Sequence, residues 1–226
     1  MTELRTIYAN VLGYIDRTLP VDPVQEWVLS ETVDRGLPPI QVTAEQGRLL
    51  HLLAQLVGAR RILEVGTLTG YSGIWLARAL EPEGRLITLE QNPAHAALAR
   101  EAFERAGVAD RVELHVGAAL DTLATLTLDL PLDLAFIDAD KANNQAYFDW
   151  AWDRVRPGGL VIVDNVLANG RVVDCANGDE YARSIAAFNR YIADNYGHLA
   201  TMLPGYKLDE DNLDGTLIVR KPLAEG

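Results

Sequence analysis

The sequence predicts an α/β fold, a parallel sheet covered by helices on both faces and preceded by a helical arm. Two observations carry this. After about residue 60, short apolar runs of strand length alternate with segments of helical periodicity. Before it lie only helical patterns, so the 226 residues read as a single domain with an arm over 1–58 and an α/β core over 59–226. Strands joined by helices of this length pair in parallel, and such sheets take ligands at the carboxyl ends of their strands.

The elements follow in order. Leu4, Ile7, Tyr8, Val11 and Ile15 fall on one helical face. Pro20 and Pro23 break that helix, and Val24, Trp27 and Val28 begin the next. Thr43-Ala44-Glu45-Gln46 fits a capping box, in which Gln46 reaches back over the helix start, and Leu49, Leu50, Leu52, Leu53 and Leu56 continue the helix to Gly58. The core begins with a strand over 61–65, then a helix over 71–81 with Ile74, Trp75 and Leu80 inward. A second strand covers 85–89. Asn92-Pro93 caps the helix that ends at Gly107. Strands at 111–115 and 134–138 follow, and then a helix marked by Tyr147, Phe148, Ala151, Trp152 and Val155, stopped by Pro157-Gly158-Gly159. A strand over 160–164, a helix over 179–196 and a strand over 216–220 complete the chain.

Composition narrows the class. Hydrophobic residues make up 49% and charged residues 23%, which excludes a disordered or collagen-like chain. No apolar run is long enough for a membrane span, and the N-terminal stretch has early acids and no apolar h-region, so neither membrane nor signal peptide is expected. The single cysteine, Cys175, excludes an internal disulfide and points to the cytoplasm. The four histidines are scattered and form no ligand set. Twenty basic against 32 acidic residues leave a net charge of −12, which repels a polyanion and disfavours a nucleic-acid binder. A local patch of Arg35, Arg48, Arg60 and Arg61 keeps RNA in view as an alternative.

Four motifs fall at strand ends. Leu63-Glu64-Val65-Gly66-Thr67-Leu68-Thr69-Gly70-Tyr71-Ser72 runs strand, glycine turn, helix. The G-x-G-x-x-G of a dinucleotide site is absent, and Glu64 suits a cationic ligand better than a pyrophosphate. Glu90 ends the second strand, where an acid can accept both hydroxyls of a ribose. Gly117-Ala118-Ala119 leaves room for a flat ring. Each of these alone is also what a plain turn or a solvated strand end looks like. The strongest motif is the pair of strand ends Asp138-Ala139-Asp140-Lys141 and Asp164-Asn165, one crossover apart. Asp138, Asp164 and the Asn165 carbonyl are hard oxygen donors suited to Mg²⁺, with Mn²⁺ or Ca²⁺ as alternatives.

Together LEVGTLTGYS, the acid of ITLEQNP, FIDADKANNQAYFD and VDNVLANG resemble the cation-dependent class I O-methyltransferases of the caffeoyl-CoA and catechol type, which use S-adenosylmethionine (SAM). The resemblance runs from about residue 40 to residue 221. It implies a Rossmann-like, seven-stranded, mostly parallel sheet and a homodimer. It implies that Val42 covers the cofactor, that Glu64, Gly66, Thr67 and Ser72 belong to the cofactor loop, that Glu90 takes the ribose and that Ala119 meets adenine. Asp138 then serves both cofactor and metal, Asp164 and Asn165 complete the metal ligands, and Lys141 is the general base. The implied acceptor is a small aromatic with two adjacent hydroxyls. Relatives on the same fold that methylate a hydroxylated wobble uridine of tRNA supply the alternative acceptor, and a non-enzymatic SAM-binding protein is a further one. The sequence departs from the plant enzymes at Ala168, where they carry an aromatic, and at Ala142-Asn143-Asn144, where the family often reads x-N-Y. Residues 165–182 and 204–214 are the expected acceptor loops.

Overall fold

The computed structural model describes residues 3–20, 22–175, 179–207 and 212–223. Parts of both expected acceptor loops, 176–178 and 208–211, lie outside them. The arm is α1 (Glu3–Thr18), α2 (Pro23–Asp34) and α3 (Ala44–Leu56). The core runs β1 (Arg61–Val65), α4 (Tyr71–Ala79), β2 (Arg85–Glu90), α5 (Pro93–Arg105), β3 (Val112–Val116), α6 (Ala119–Thr125), β4 (Leu132–Ile137), α7 (Asn144–Arg154), β5 (Val155–Val163), α8 (Glu180–Tyr196), β6 (Ala200–Lys207) and β7 (Asn212–Arg220). The seven strands lie in the order β3-β2-β1-β4-β5-β7-β6. β1 to β5 pair in parallel, and β7 is antiparallel to both β5 and β6. Among the described residues, no helix is long and apolar enough to cross a membrane.

Strand alternation builds a core on each face. Ile62, Leu134, Phe136, Leu160 and Ile162 face one cluster, which also holds Val28 of α2 and Leu50 and Ala54 of α3. Leu63, Val65, Ala135, Ile137, Val161 and Val163 face the other, with Phe148 of α7 and Phe188 of α8. The arm therefore covers the sheet through one of its two cores. Gly47 lets α3 approach closely, since a Cβ there would lie 2.3 Å from the Trp75 ring. Gly47, Leu50 and Ala54 form the buried stripe of α3, and Leu52 and Leu56 face outward, 54% and 81% exposed.

The helix starts follow local chemistry. Asp22 caps α2 by accepting from the amides of Val24 and Gln25, with Pro23 in the first turn. Thr43 caps α3 and Asn92 caps α5, as expected. Several boundaries differ from the sequence reading, among them the start of β7, which lies at Asn212 and not at 216. β3 begins at Val112 because Ala109–Arg111 is a 3₁₀ turn. Pro157-Gly158-Gly159 does not stop a helix: α7 ends at Arg154, and the three residues lie within β5. There β4 shifts register between Leu132 and Leu134, and a Cβ at Gly159 would lie 2.6 Å from the Asp133 carbonyl oxygen. β6 and the short α6 were not located from the residues themselves. β6 carries Pro204-Gly205 and exists through its pairing with β7.

Two buried carboxylates brace opposite ends of the sheet. At the amino end, Asp133 accepts the backbone amides of Arg60 and Arg61 at 2.8 Å each and the guanidinium of Arg156. Removing it leaves two partly buried amides unpaired. Asp133→Ala should cost on the order of 2–3 kcal/mol, seen as a lower denaturant midpoint at unchanged slope. At the carboxyl end, Glu64 is fully buried and accepts from Ser72 Oγ and Thr88 Oγ1, each at 2.6 Å. Burial pushes its carboxyl up from 4.5 to about 7; the two hydroxyls oppose this, and the charges of Asp138 and Glu90 add to it. Between those pH values the native state holds a proton that the unfolded chain has released, so this contribution to stability falls as pH rises through the window. Relative to Glu64→Gln, the wild type should lose on the order of 3 kcal/mol from below pH 4.5 to above pH 7. Parallel stability–pH curves for the two proteins would remove Glu64 as the titrating group.

Candidate active site

Sheet register makes the site. Val65 lies opposite both Leu89 and Ile137, and Ile137 lies opposite Val163. The residues that follow these four are Gly66, Glu90, Asp138 and Asp164, so the predicted site residues leave the sheet in one row. Above the row is a cavity of about 450 Å³. Its walls include Val42, Gly66, Thr67, Ser72, Glu90, Ala119, Asp138, Lys141 and Asn165, all singled out from the sequence. Ile40, Tyr147, Asn169, Tyr181 and Asp214 also line it. Glu64 does not line it; it accepts from Ser72 at the start of α4 and from Thr88 of β2, which is bonded to Thr67 of the loop. Asp164 lines a second cavity of about 270 Å³, with Leu12, Gln46, Leu49, Leu203, Pro204 and Thr216. Asn165 and Asp214 belong to both cavities.

The glycine loop is held from below. Gly66 has φ +102°, and a Cβ there would lie 2.2 Å from the Asp138 carbonyl oxygen, so β1 and β4 can meet at this point only without a side chain. The amides of Gly66 and Thr67 donate to Leu89 O at 3.0 and 3.1 Å. Thr88 gives its proton to Glu64, so Thr67 Oγ1 is the donor to Thr88 Oγ1 at 2.5 Å. Thr32 of α2 gives its proton to Val28 O at 2.7 Å, so Thr69 Oγ1 is the donor to Thr32 Oγ1 at 3.0 Å, tying loop to arm. Glu90 accepts from Leu68 N and from Asn92 N, both at 2.8 Å, with His95 Nδ1 at 3.4 Å. Its carboxylate thus fixes the loop as well as facing the cavity.

At the acidic rim, Lys141 Nζ donates to Asp138 Oδ1 at 2.8 Å and is 7% exposed. Burial pulls the Lys141 pKa down, but Asp138 and Asp164 outweigh it and hold the ammonium above its ordinary value. Asp164, 3% exposed, accepts at Oδ1 from Gln46 Nε2 at 2.5 Å and from Thr216 Oγ1 at 3.1 Å. Asn165 turns at φ +57°, a conformation asparagine tolerates better than most residues. Asp140 accepts from Tyr147 OH and Asn143 Nδ2, each at 2.6 Å; burial, together with the bond to and the charge of Asp140, raises the Tyr147 pKa above the ordinary phenol range, and Asn143 opposes this.

Among the described residues no cluster of three or more His, Cys, Asp or Glu is placed to hold a metal ion. The rim offers two carboxylates and one amide carbonyl, all hard oxygens. Both carboxylates act on the buried ammonium of Lys141, so a positive charge at this rim is already favoured. That donor chemistry fits Mg²⁺. Ala168 is fully buried against Ala182 and Ile185 and lines neither cavity, and the neighbouring Asn169 lines the larger one.

Sequence reading missed the side-chain role of Gln46, assigned there to a capping box. Its amide hydrogen does cap onto Thr43, but its side chain runs to the rim. Tyr181, Asn169 and Asp214 also escaped it. The only signal for them was their place in the loops over 165–182 and 204–214.

Residues 22–204 match the O-methyltransferase family. A catechol O-methyltransferase of Mycobacterium tuberculosis is 51% identical over 165 residues, covering 73% of this chain and 74% of its own. A catechol O-methyltransferase of Niastella koreensis is 42% identical over 197 residues, 86% of each chain. Among solved structures, the O-methyltransferase TomG of Streptomyces achromogenes, involved in tomaymycin synthesis and in complex with SAM, superposes with a TM-score of 0.89 at 40% identity, covering 98% of this chain and all of that one. An O-methyltransferase of Bacillus cereus in complex with SAH superposes at 0.87 and 42%, covering 94% of this chain and 97% of that one. With a seven-stranded sheet in this order, the strand-end row and these matches, the chain belongs to the O-methyltransferase family.

Proposed function

We propose that the protein transfers the methyl group of SAM to one hydroxyl of a small aromatic bearing two adjacent hydroxyls, with a divalent cation at the rim. The observation that carries this reading is the row Gly66, Glu90, Asp138 beneath one cavity, with Lys141 and Asn165 in the same wall and Asp164 alongside. The names of the relatives support the acceptor class. A polyanion acceptor is less well served. Arg35 is paired with Glu31 and Glu101, Arg48 lies beside Glu45, and Arg60 and Arg61 pair with Glu83 and Asp129 at the amino end of β1, away from the cavity. A homodimer and a cytoplasmic setting belong to the same reading. Ile7, Val11 and Tyr14 leave one face of α1 about half exposed, which a second copy would cover.

The chain's residues divide the work. Gly66 allows close backbone approach, the Glu90 carboxylate faces the ribose hydroxyls, Ala119 gives the adenine a flat wall, and Val42 closes the cavity from the arm side. Asp138 attracts the cationic sulfonium end of SAM. Asp138, Asp164 and Asn165 would hold the cation. The chemistry a divalent cation supplies here is a lower acceptor pKa, a phenol's being about 10, and a fixed place for two adjacent oxygens. When the two carboxylates give their charge to another partner, the Lys141 ammonium can release its own proton to solvent, and the neutral amine can then take the hydroxyl proton. The acceptor oxygen then forms its bond to the methyl carbon as the carbon–sulfur bond breaks, and in-line positioning supplies much of the rate.

Two outcomes test this reading. Methyl transfer should stop in excess chelator and return with Mg²⁺, and a catechol should react at least tenfold faster than its monohydroxy analogue at saturating SAM, on the order expected when positioning and acidity are both lost. Full activity in chelator, or equal rates for the two acceptors, would contradict it. Turnover on tRNA alone would move the acceptor to RNA. For the cofactor half, Glu90→Gln should weaken SAM binding by roughly 1–3 kcal/mol in calorimetry, the scale of a charge-assisted hydrogen bond. Unchanged affinity would take Glu90 out of the site.

A further inference from the structure

We propose that Gln46, a residue of the helical arm, is a positioning residue for Asp164 and sets the cation affinity of the rim. The inference rests on the metal reading above. Gln46 Nε2 donates to Asp164 Oδ1 at 2.5 Å and to Thr216 Oγ1 at 2.9 Å, and Thr216 Oγ1 donates to the same Asp164 oxygen at 3.1 Å. The three residues come from α3, the end of β5 and β7, and they close a ring in which every proton has a place. The amide gives both of its protons. The threonine hydroxyl receives one and passes its own to the carboxylate. Asp164 Oδ1 receives two.

The orientation of the amide is forced. Turned over, it would set its carbonyl oxygen 2.5 Å from a carboxylate oxygen and withdraw the amide protons from both Asp164 Oδ1 and Thr216 Oγ1. The pairing is also rigid on the arm side. Thr43 caps the turn that carries Gln46, and the next residue, Gly47, has no room to slide, because even a Cβ would strike the Trp75 ring. A carboxylate with one oxygen doubly occupied is fixed in rotation, which presets it for a cation. Gln46 does not line the larger cavity, so it acts on the cation side and not on the cofactor side.

The test is Mn²⁺ titration of the whole protein, followed by electron paramagnetic resonance, with S-adenosylhomocysteine present. Gln46→Met keeps length and removes the donors. It should weaken Mn²⁺ about tenfold or more, the usual scale for partners of metal ligands. S-adenosylhomocysteine affinity, measured by calorimetry without metal, should stay within twofold. Thr216→Val removes one of the two donors to Asp164 and should give a smaller loss in the same direction; it carries the test alone if Gln46→Met does not fold. Mn²⁺ affinity within twofold of wild type in the folded variants overturns the role of Gln46 and leaves the metal reading standing. Equal losses of Mn²⁺ and S-adenosylhomocysteine affinity overturn it as well, since that is what a general loosening of the arm produces. A wild-type protein that binds no Mn²⁺ overturns the metal reading itself.

Discussion

The alignment of four parallel strand ends is the constraint on which the site depends. Leu89, Val65, Ile137 and Val163 form a row across the sheet through backbone pairing alone. Whatever follows them in sequence must emerge level and together. A slip of one residue would turn each of these side chains to the opposite face, exchanging two apolar cores. Packing on both faces therefore fixes the register, and the register places Gly66, Glu90, Asp138 and Asp164. The functional row needs no device of its own beyond a glycine where β1 passes close to the backbone of Asp138.

The helical arm completes what the sheet begins. α2 reaches the glycine loop through Thr32 and Thr69, and α3 reaches the acidic rim through Gln46. Val42 lies just before the α3 cap, in the wall of the larger cavity. One short stretch, 42–47, thus holds a cavity wall, a helix cap, a bond to Asp164 and a glycine pressed against Trp75. The arm shares a hydrophobic cluster with the sheet, so its position is set by the same burial that sets the strands.

Strand ends were legible because their chemistry is local. A strand, a glycine turn and an acid in the right order can be read without knowing what lies opposite. Glu90, Asp138, Lys141, Asp164 and Asn165 were found that way, and the crossover between β4 and β5 explains why two of these motifs meet. Gln46 was assigned to its nearest partner, the helix start, because nothing local announces a carboxylate 118 residues away. Lys141 is legible as part of the Asp138-Ala139-Asp140-Lys141 strand end, but its pairing with both carboxylates depends on β5 coming to lie beside β4. Pro157-Gly158-Gly159 reads as a stop, yet it enters β5 where β4 shifts its pairing. Ala168 was placed by analogy with an aromatic position and instead fills a small buried cluster.

The proposed function rests on one cation site shared by Asp138, Asp164 and Asn165 at the edge of the cavity that would hold SAM. The most direct measurement is anomalous diffraction from crystals grown with Mn²⁺ and S-adenosylhomocysteine. The expected result is an anomalous peak within bonding distance of oxygens from all three residues, about 2.0–2.6 Å for hard cations, with the nucleoside in the cavity beside Glu90. A nucleoside bound there with no peak between these residues would contradict it.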